Sequence, residues 1–229
     1  MAFDPVSPSL RERLLTAIGA SLHSTFEPLQ GFHGGRNEGI WFVKGGGETL
    51  VVKLVKFDPS TPSQLVEEQM FRKLFQELGP SITEDPNVAF PVKVFRLLGP
   101  NNVREHDLIV MKKAPGKSLS YVIPEKWRTG CKADLMHIFR NVGKCMANFH
   151  RRYGGRQHND AGVQNILWDE ETEHVTFIDL GCVGNKTDKT DVELFSQVPA
   201  CKCNEFRVSE FLGIYENAHP PRESQTITK

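Results

Sequence analysis

The sequence predicts an α+β protein of two lobes, the first rich in strands and the second mostly helical. Two observations favour this division. Short β-branched runs separated by glycine turns fill the chain up to about residue 113. Ala114-Pro115-Gly116 then interrupts the chain, and the apolar residues that follow recur at helical spacing. We therefore predict an N-terminal lobe of residues 1–112 and a C-terminal lobe of residues 113–229, with a pocket expected between such lobes.

The composition is that of an ordinary globular chain. The 229 residues are 39% hydrophobic and 24% charged, and 28 basic residues balance 28 acidic ones. A nucleic-acid-binding protein usually carries a basic excess, so the balance argues against nucleic acid as a partner. No run approaches the ~20 apolar residues that cross a bilayer. The N-terminus lacks the pattern of a signal peptide, and five cysteines in a chain of this length indicate reduced thiols, so a cytoplasmic protein is expected.

The first lobe is predicted to hold a five-stranded antiparallel sheet and two helices. Ser9 and Glu12 fit a capping box at the start of an apolar helical stripe. Gly79-Pro80 ends a second helical stripe. The predicted elements are a helix over 8–20, a three-stranded meander over 25–57, a helix over 62–79 and strands over 88–98 and 107–113.

The second lobe is predicted to be built on one long helix. Apolar residues from Leu135 to Phe149 fall on one stripe of that helix. Two short β-branched runs joined by a polar turn follow and predict a small hairpin. The predicted elements are a helix over about 132–152, strands over 166–168 and 175–178, and short helices over 190–197 and 205–217. The last ten residues are expected to be disordered.

The strongest chemical signal lies around this hairpin. Asp160 and Asn165 are five residues apart, and Asp179 follows at the end of a strand, just before Leu180-Gly181. Loops at the ends of short strands can direct these oxygen atoms to one point. Carboxylate and amide oxygens suit Mg²⁺, which proteins usually share with substrate phosphates. A further carboxylate beside the metal can accept a proton from an attacking hydroxyl.

These motifs resemble those of the protein-kinase-like superfamily. The pattern is closest to the aminoglycoside phosphotransferase and choline kinase branch, and the resemblance covers about residues 25–195. The family's catalytic loop has a histidine two residues before the catalytic aspartate and an asparagine five residues after it. The resemblance implies that Asp160 is the catalytic base and that Asn165 and Asp179 are the metal ligands. It assigns His158 to bracing the loop.

The first lobe carries the other parts of the pattern in the expected order. Lys53, in a Val-Val-Lys strand, resembles the lysine that binds the α- and β-phosphates of ATP. Its implied ion-pair partner is Glu67 on the following helix, because Met70 and Phe71 place that position on the apolar face; Glu68 ranks second.

Two further segments of the first lobe are similar to nucleotide-binding segments of the family. Gly34, Gly35 and Gly39 match a glycine-rich cover over the phosphates, where backbone N–H groups approach closely. The segment from Met111 to Ala114, including Lys113, resembles the hinge whose backbone holds adenine.

The chain departs from the family at three places. Asn159 follows His158, where protein kinases regulated by an activation-loop phosphate commonly carry the arginine that binds it. Gly162 stands two residues after Asp160, where relatives carry lysine or histidine, so one helper for the transferred phosphoryl group is missing. Only 48 residues follow Gly181, so the C-terminal lobe is short and lacks an Ala-Pro-Glu motif. Asp188 and Asp191 resemble the acidic segment of the small-molecule branch, and Asp191 is expected to cap a helix and fix the catalytic loop.

The sequence therefore predicts an ATP- and Mg²⁺-dependent kinase that transfers the γ-phosphate to a hydroxyl of a small molecule. Two alternatives stay open. One is a minimal protein kinase that acts on a hydroxyl of a partner protein, and the other is a pseudokinase or nucleotide-binding interaction module. A partner chain that completes the short lobe is compatible with each of them.

Overall fold

The computed structural model describes residues 8–21, 23–29, 37–45, 48–56, 67–98, 104–185, 188–197 and 204–218. The chain divides into two compact units. The first unit comprises Met1–Asp85 and Ala89–Ala114, and the second comprises Pro86–Val88 and Pro115–Lys229. The predicted α+β class and the predicted five-stranded antiparallel sheet are confirmed.

The first unit is an antiparallel sheet with two α-helices. The strands lie in the order β1-β2-β3-β5-β4. Its elements are α1 Pro8–Ile18, β1 Thr25–Pro28, β2 Asn37–Lys44, β3 Thr49–Lys56, α2 Glu67–Leu78, β4 Lys93–Leu98 and β5 Arg104–Lys112. A 3₁₀ turn over Pro80–Glu84 follows α2. The glycine turn at 34–35 and the predicted helical residues 62–66 lie outside the described residues.

Helix α1 covers one face of the sheet, and Lys53 lies on the other. Leu14 and Leu15 are buried against Val52 and Leu54 in a single apolar core. Successive residues of a strand point to opposite faces. Lys53, between Val52 and Leu54, therefore belongs to the face away from α1.

The strand predicted over 88–98 begins five residues later than expected, at Lys93. Pro91 interrupts the predicted run, and a proline has no N–H to donate to a strand ladder. Val88 instead forms a single parallel bridge with Phe177 and belongs to the second unit.

The second unit is mostly helical and carries a three-stranded sheet in the order β6-β7-β8. Its elements are β6 Lys117–Ser118, α3 Leu119–Arg128, α4 Lys132–Arg152, β7 Ile166–Asp169, β8 His174–Phe177, α5 Asp191–Gln197 and α6 Asn204–Ala218. Short 3₁₀ turns lie at Val163–Asn165, just after Asp160, and at Leu180–Cys182, just after Asp179. The predicted long helix, the β7–β8 hairpin and both short helices are confirmed, and the terminal segment predicted to be disordered lies outside the described residues.

Helix α4 is the centre of the second unit, and α6 packs against it. Phe139 of α4, Phe195 of α5 and Phe211 of α6 are fully buried. The ring centroids of Phe195 and Phe211 are 4.7 Å apart, and those of Phe139 and Phe195 are 6.4 Å apart. At Gly143 of α4, a Cβ would lie 2.6 Å from the carbonyl oxygen of Phe211. The glycine therefore lets the two helices approach closely.

Gly116, just before β6, allows β6 to pair with β7, and any other residue at this position would be strained. Gly116 has a φ of 88°, and a Cβ there would lie 2.3 Å from the carbonyl oxygen of Trp168. Lys117 and Ser118 then pair with Trp168 and Leu167. This pairing places the start of α3 beside the catalytic motif.

Among the described residues, no helix is both long and apolar enough to cross a membrane. Within the described ranges, Cys131, Cys145 and Cys182 form no disulfide bond.

The close approach of α4 and α6 predicts opposite effects for two glycine-to-alanine substitutions. Gly143→Ala places a methyl group against the Phe211 backbone and should lower the free energy of unfolding by about 1–3 kcal/mol. Gly213→Ala, in α6 with no atom within 4 Å of its Cβ, should raise it by up to about 1 kcal/mol through helix propensity. Urea denaturation measures both. A stabilising Gly143→Ala would contradict this packing.

Candidate active site

Two loops of the second unit carry the three polar residues predicted for catalysis and metal binding, Asp160, Asn165 and Asp179. Asp160 and Asn165 belong to the segment between α4 and β7, and Asp179 follows β8. Since β7 and β8 are antiparallel, with Ile166 opposite Phe177, the residue before β7 and the residue after β8 meet at the same end of the hairpin.

Asn165 is tied directly to Asp160. Its side-chain Nδ2 donates to the Asp160 Oδ2 at 2.8 Å and to the Asp160 carbonyl oxygen at 2.9 Å. The Asn165 side chain is buried. Its Oδ1, the atom with which asparagine ligates a cation, takes part in neither hydrogen bond. The amide is therefore oriented by the loop that holds the carboxylate.

Ile178 connects the Asp179 loop to both parts of the catalytic motif. Its N–H donates to the carbonyl oxygen of Asn165 at 3.0 Å, and its own carbonyl oxygen lies 2.9 Å from His158 Nε2. A carbonyl oxygen only accepts, so Nε2 of His158 carries a proton. The His158 Nδ1 is buried and has no hydrogen-bond partner among the described residues. His158 thus braces the loop, and Asp179 follows directly after the brace.

Two residues of the site have left-handed backbone conformations. Asn159, just before Asp160, has a φ of 62°, and Asp179 has φ 58° and ψ 60°. Asparagine and aspartate adopt this region more readily than other non-glycine residues, though at some cost in energy. Such strain persists where the surrounding contacts fix the backbone, and it concentrates at functional sites.

The carboxylate of Asp191 fixes the backbone on both sides of His158. Asp191 is fully buried at the start of α5. Its Oδ2 accepts from the His158 N–H at 2.5 Å, and its Oδ1 accepts from the Asn159 N–H at 2.7 Å. The Asp191 N–H donates to Gln157 Oε1 at 3.0 Å. The expectation that Asp191 fixes the catalytic loop is confirmed by these contacts.

The segment after Asp179 closes the loop from another side. Gln157 and Gly184 exchange two backbone hydrogen bonds, of 2.8 and 3.0 Å. The Asn159 Nδ2 donates to the carbonyl oxygens of Cys182 and Asn185, at 2.9 and 3.1 Å. The loop of Asp160 and the segment after Asp179 are therefore hydrogen-bonded to each other through residues just before Asp160.

Two of the predicted nucleotide-binding residues, Lys53 and Met111, lie on the sheet of the first unit. Lys53 of β3 is half-buried and pairs with Ile109 of β5, while Met111 pairs with Val51. Paired residues and residues two apart share a face, so Lys53 and Met111 lie on one face of the sheet. Glu67 is the first residue of α2, and its side chain lies outside the described residues, as do Gly34 and Gly35.

Gly39 and Lys113 take part in local packing of the first unit. A Cβ at Gly39 would lie 2.1 Å from the indole ring of Trp41, so this ring requires glycine there. The Lys113 N–H donates to the Thr49 carbonyl oxygen at 3.0 Å, and its ammonium lies 5.2 Å from the centre of the Phe42 ring. A base contact through the Lys113 backbone would therefore use its carbonyl oxygen.

The second unit also contains a polar cavity of about 300 Å³ away from the catalytic motif. Lys126 forms ion pairs there with Glu170 and with Asp134, the latter at 3.1 Å. The hydrogen bonds to Glu170 and Asp134 raise the pKa of the Lys126 ammonium. His137 pairs with Glu173 at 2.9 Å. Since these charges pair with one another, the cavity is assigned no role in the proposed chemistry.

No three His, Cys, Asp or Glu side chains gather into a metal-binding group within the described ranges. The metal ligands predicted from the sequence are one asparagine and one aspartate. Two oxygen ligands suit Mg²⁺, which binds through one or two protein groups and completes its shell with water and phosphate.

The network around Asp191 includes residues that sequence reasoning did not single out. His150 of α4 donates to Asp191 Oδ2 through Nε2 at 2.8 Å, and its Nδ1 lies 2.8 Å from the hydroxyl of Tyr215 in α6. The sequence signal for a buried His150 side chain is its position, four residues after Met146 on the apolar side of α4. No sequence spacing connects it to Tyr215.

No known family model matches this sequence, and no curated protein is significantly similar to it.

The hydrogen bonds of Asp191 predict a large effect for an almost isosteric change. Asp191→Asn replaces an acceptor with an NH₂ group that faces N–H donors, so the free energy of unfolding should fall by about 2–4 kcal/mol. Asp188→Asn, at an exposed position, is the control and should change it by less than about 0.5 kcal/mol. Equal urea midpoints for the two variants would contradict the role of Asp191.

Proposed function

We propose that the protein is a phosphotransferase of the protein-kinase-like type, which transfers the γ-phosphate of ATP to a hydroxyl group. The observation that carries this proposal is the hydrogen-bonded cluster of Asp160, Asn165 and the Asp179 loop. Their order along the chain is that of a catalytic base and two metal ligands. The two-unit α+β fold with a five-stranded antiparallel sheet is compatible with this class.

In the proposed mechanism, Asp160 orients the acceptor hydroxyl and takes its proton. The hydrogen bond from Asn165 Nδ2 to Asp160 Oδ2 supports this role, because it holds the carboxylate in one orientation. Phosphoryl transfer relies mainly on such positioning and on charge stabilisation.

The Mg²⁺ of the proposal would be held by Asn165 Oδ1 and the carboxylate of Asp179. When bound, it supplies charge neutralisation for the phosphates. The chain's own contribution is to orient these two ligands. Nδ2 of Asn165 is committed to Asp160, and the hydrogen bonds of Ile178 fix the backbone just before Asp179. The left-handed backbone of Asp179 sets the direction of its side chain.

Residues of the first unit are assigned to the nucleotide. Lys53 would neutralise the α- and β-phosphates, with Glu67 as its partner, and the Met111 backbone would contact adenine. The shared sheet face of Lys53 and Met111 supports assigning both to one ligand.

A small-molecule hydroxyl is the proposed acceptor. The sequence after Gly181 has no Ala-Pro-Glu motif, and that motif closes the segment on which protein kinases bind peptide substrates. Asp188 and Asp191 instead resemble the acidic segment of small-molecule kinases.

The base assignment predicts a separation of turnover from binding. Asp160→Asn should lower phosphotransfer by about 10²–10⁴-fold, because the amide accepts no proton. Release of phosphate from ATP and transfer of labelled phosphate to a panel of small alcohols and amino sugars measure the change. Glu171→Gln, at an exposed position in the turn after β7, is the control and should leave turnover unchanged. Full activity in Asp160→Asn would contradict the assignment.

Nucleotide binding by the same variants is measured as the shift in melting temperature when Mg²⁺·ATP is added. Ligand at about 100 times its dissociation constant stabilises a protein by about 2.7 kcal/mol. Asp160→Asn should keep this shift, whereas Asp179→Ala should lose its Mg²⁺-dependent part. A shift without phosphotransfer in the unsubstituted protein would favour a nucleotide-binding interaction module, and transfer to co-incubated proteins alone would favour a protein kinase.

A further inference from the structure

Helix α6 is linked to the segment around Asp160 by a chain of hydrogen bonds that begins at the Tyr215 hydroxyl. Phe211 anchors the helix in the apolar core, and Tyr215 lies one turn further along the same side. The two rings are stacked, with centroids 5.9 Å apart. The Tyr215 hydroxyl lies 2.8 Å from Nδ1 of His150, a residue buried in α4.

The chemistry of Asp191 fixes the direction of this hydrogen-bond chain. An ionised carboxylate only accepts, so His150 Nε2 carries the proton that points to Asp191 Oδ2. In the neutral imidazole, Nδ1 is then an acceptor, and the Tyr215 O–H donates to it. Burial, and secondarily the charge of Asp191, raise the pKa of Tyr215, which keeps the phenol protonated as this direction requires.

The chain ends on the backbone of the catalytic motif. The Asp191 oxygen that accepts from His150 also accepts the His158 N–H, and the other oxygen accepts the Asn159 N–H. Asn159 has the left-handed backbone that precedes Asp160. The position of the Asp191 carboxylate therefore controls the conformation from which Asp160 projects.

We propose that Tyr215 and His150 are positioning residues, through which helix α6 holds the loop of His158, Asn159 and Asp160 in its active conformation. Neither residue contacts a reacting group. Tyr215 orients the His150 ring, His150 orients the Asp191 carboxylate, and Asp191 binds the loop amides. The order of the loop follows from geometry alone, and only the effect on turnover rests on the proposed kinase function.

Tyr215→Phe tests the proposal with little change in packing, because the stacked ring is kept and only the hydroxyl is removed. In the unsubstituted protein, ¹⁵N NMR should show His150 with a protonated Nε2 and an unprotonated Nδ1. In Tyr215→Phe, the Nδ1 signal should shift, and the His158 and Asn159 amides should exchange roughly five- to tenfold faster. Tyr121→Phe, at an exposed tyrosine of α3, should change neither readout.

Three results would overturn the proposal. The first is a protonated Nδ1 on His150 in the unsubstituted protein, whether or not Nε2 is also protonated, because Tyr215 could then not donate to it. The second is an unchanged exchange rate of the His158 and Asn159 amides in Tyr215→Phe. The third is an equal acceleration at Ile138 and Val142, in the core of the second unit, which would indicate a general loss of stability.

Activity measurements separate this proposal from the proposed function. If the protein is a kinase, Tyr215→Phe should lower kcat several-fold and leave the KM for ATP unchanged, since the nucleotide ligands are untouched. If the unsubstituted protein transfers no phosphate, the kinase proposal fails. The NMR and exchange results then still decide whether α6 orders the loop.

Discussion

The buried carboxylate of Asp191 is the interaction on which the proposed site depends. A buried anion is costly unless hydrogen bonds replace its water, and three N–H donors converge on this one. Two of the donors are the consecutive amides of His158 and Asn159, so one side chain fixes two peptide groups of the loop. The left-handed residue before Asp160 is thereby held at a conformation that a loose loop would leave. Three separate segments, α4, the catalytic loop and α5, meet at this carboxylate.

The hairpin of β7 and β8 provides the second constraint. Its register brings Asn165 beside Ile178, and the two hydrogen bonds of Ile178 then leave little freedom for Asp179. The oxygen atoms proposed to bind Mg²⁺ are thus positioned by backbone pairing as well as by side chains. Such preorganisation is what phosphoryl transfer requires, because the protein contributes positioning and charge rather than covalent chemistry.

The sequence predicted the parts that depend on local pattern. The apolar period of α4 and the two β-branched runs of the hairpin identified those elements closely, since burial imposes the period. The sequence pattern places the start of β4 too early, because Pro91 lies within the apolar run but has no N–H to donate to the strand ladder. The sequence did not predict β6 or α3. Strand β6 has two residues, too few to show an apolar period, and Pro124 inside α3 argues against a helix at that position. The link from Tyr215 to His150 spans 65 residues and depends on how α6 packs, which no local pattern records.

The loops held by Asp191 are proposed to bind a divalent cation together with ATP. Paramagnetic broadening by Mn²⁺, which shares the oxygen-ligand preference of Mg²⁺, tests this proposal most directly. On addition of trace Mn²⁺ with ATP, the NMR signals of Asp160, Asn165 and Asp179 should broaden beyond detection, and Asp179→Ala should retain the signals of Asp160 and Asn165. Unbroadened signals at all three residues in the unsubstituted protein, at saturating ATP, would contradict the account.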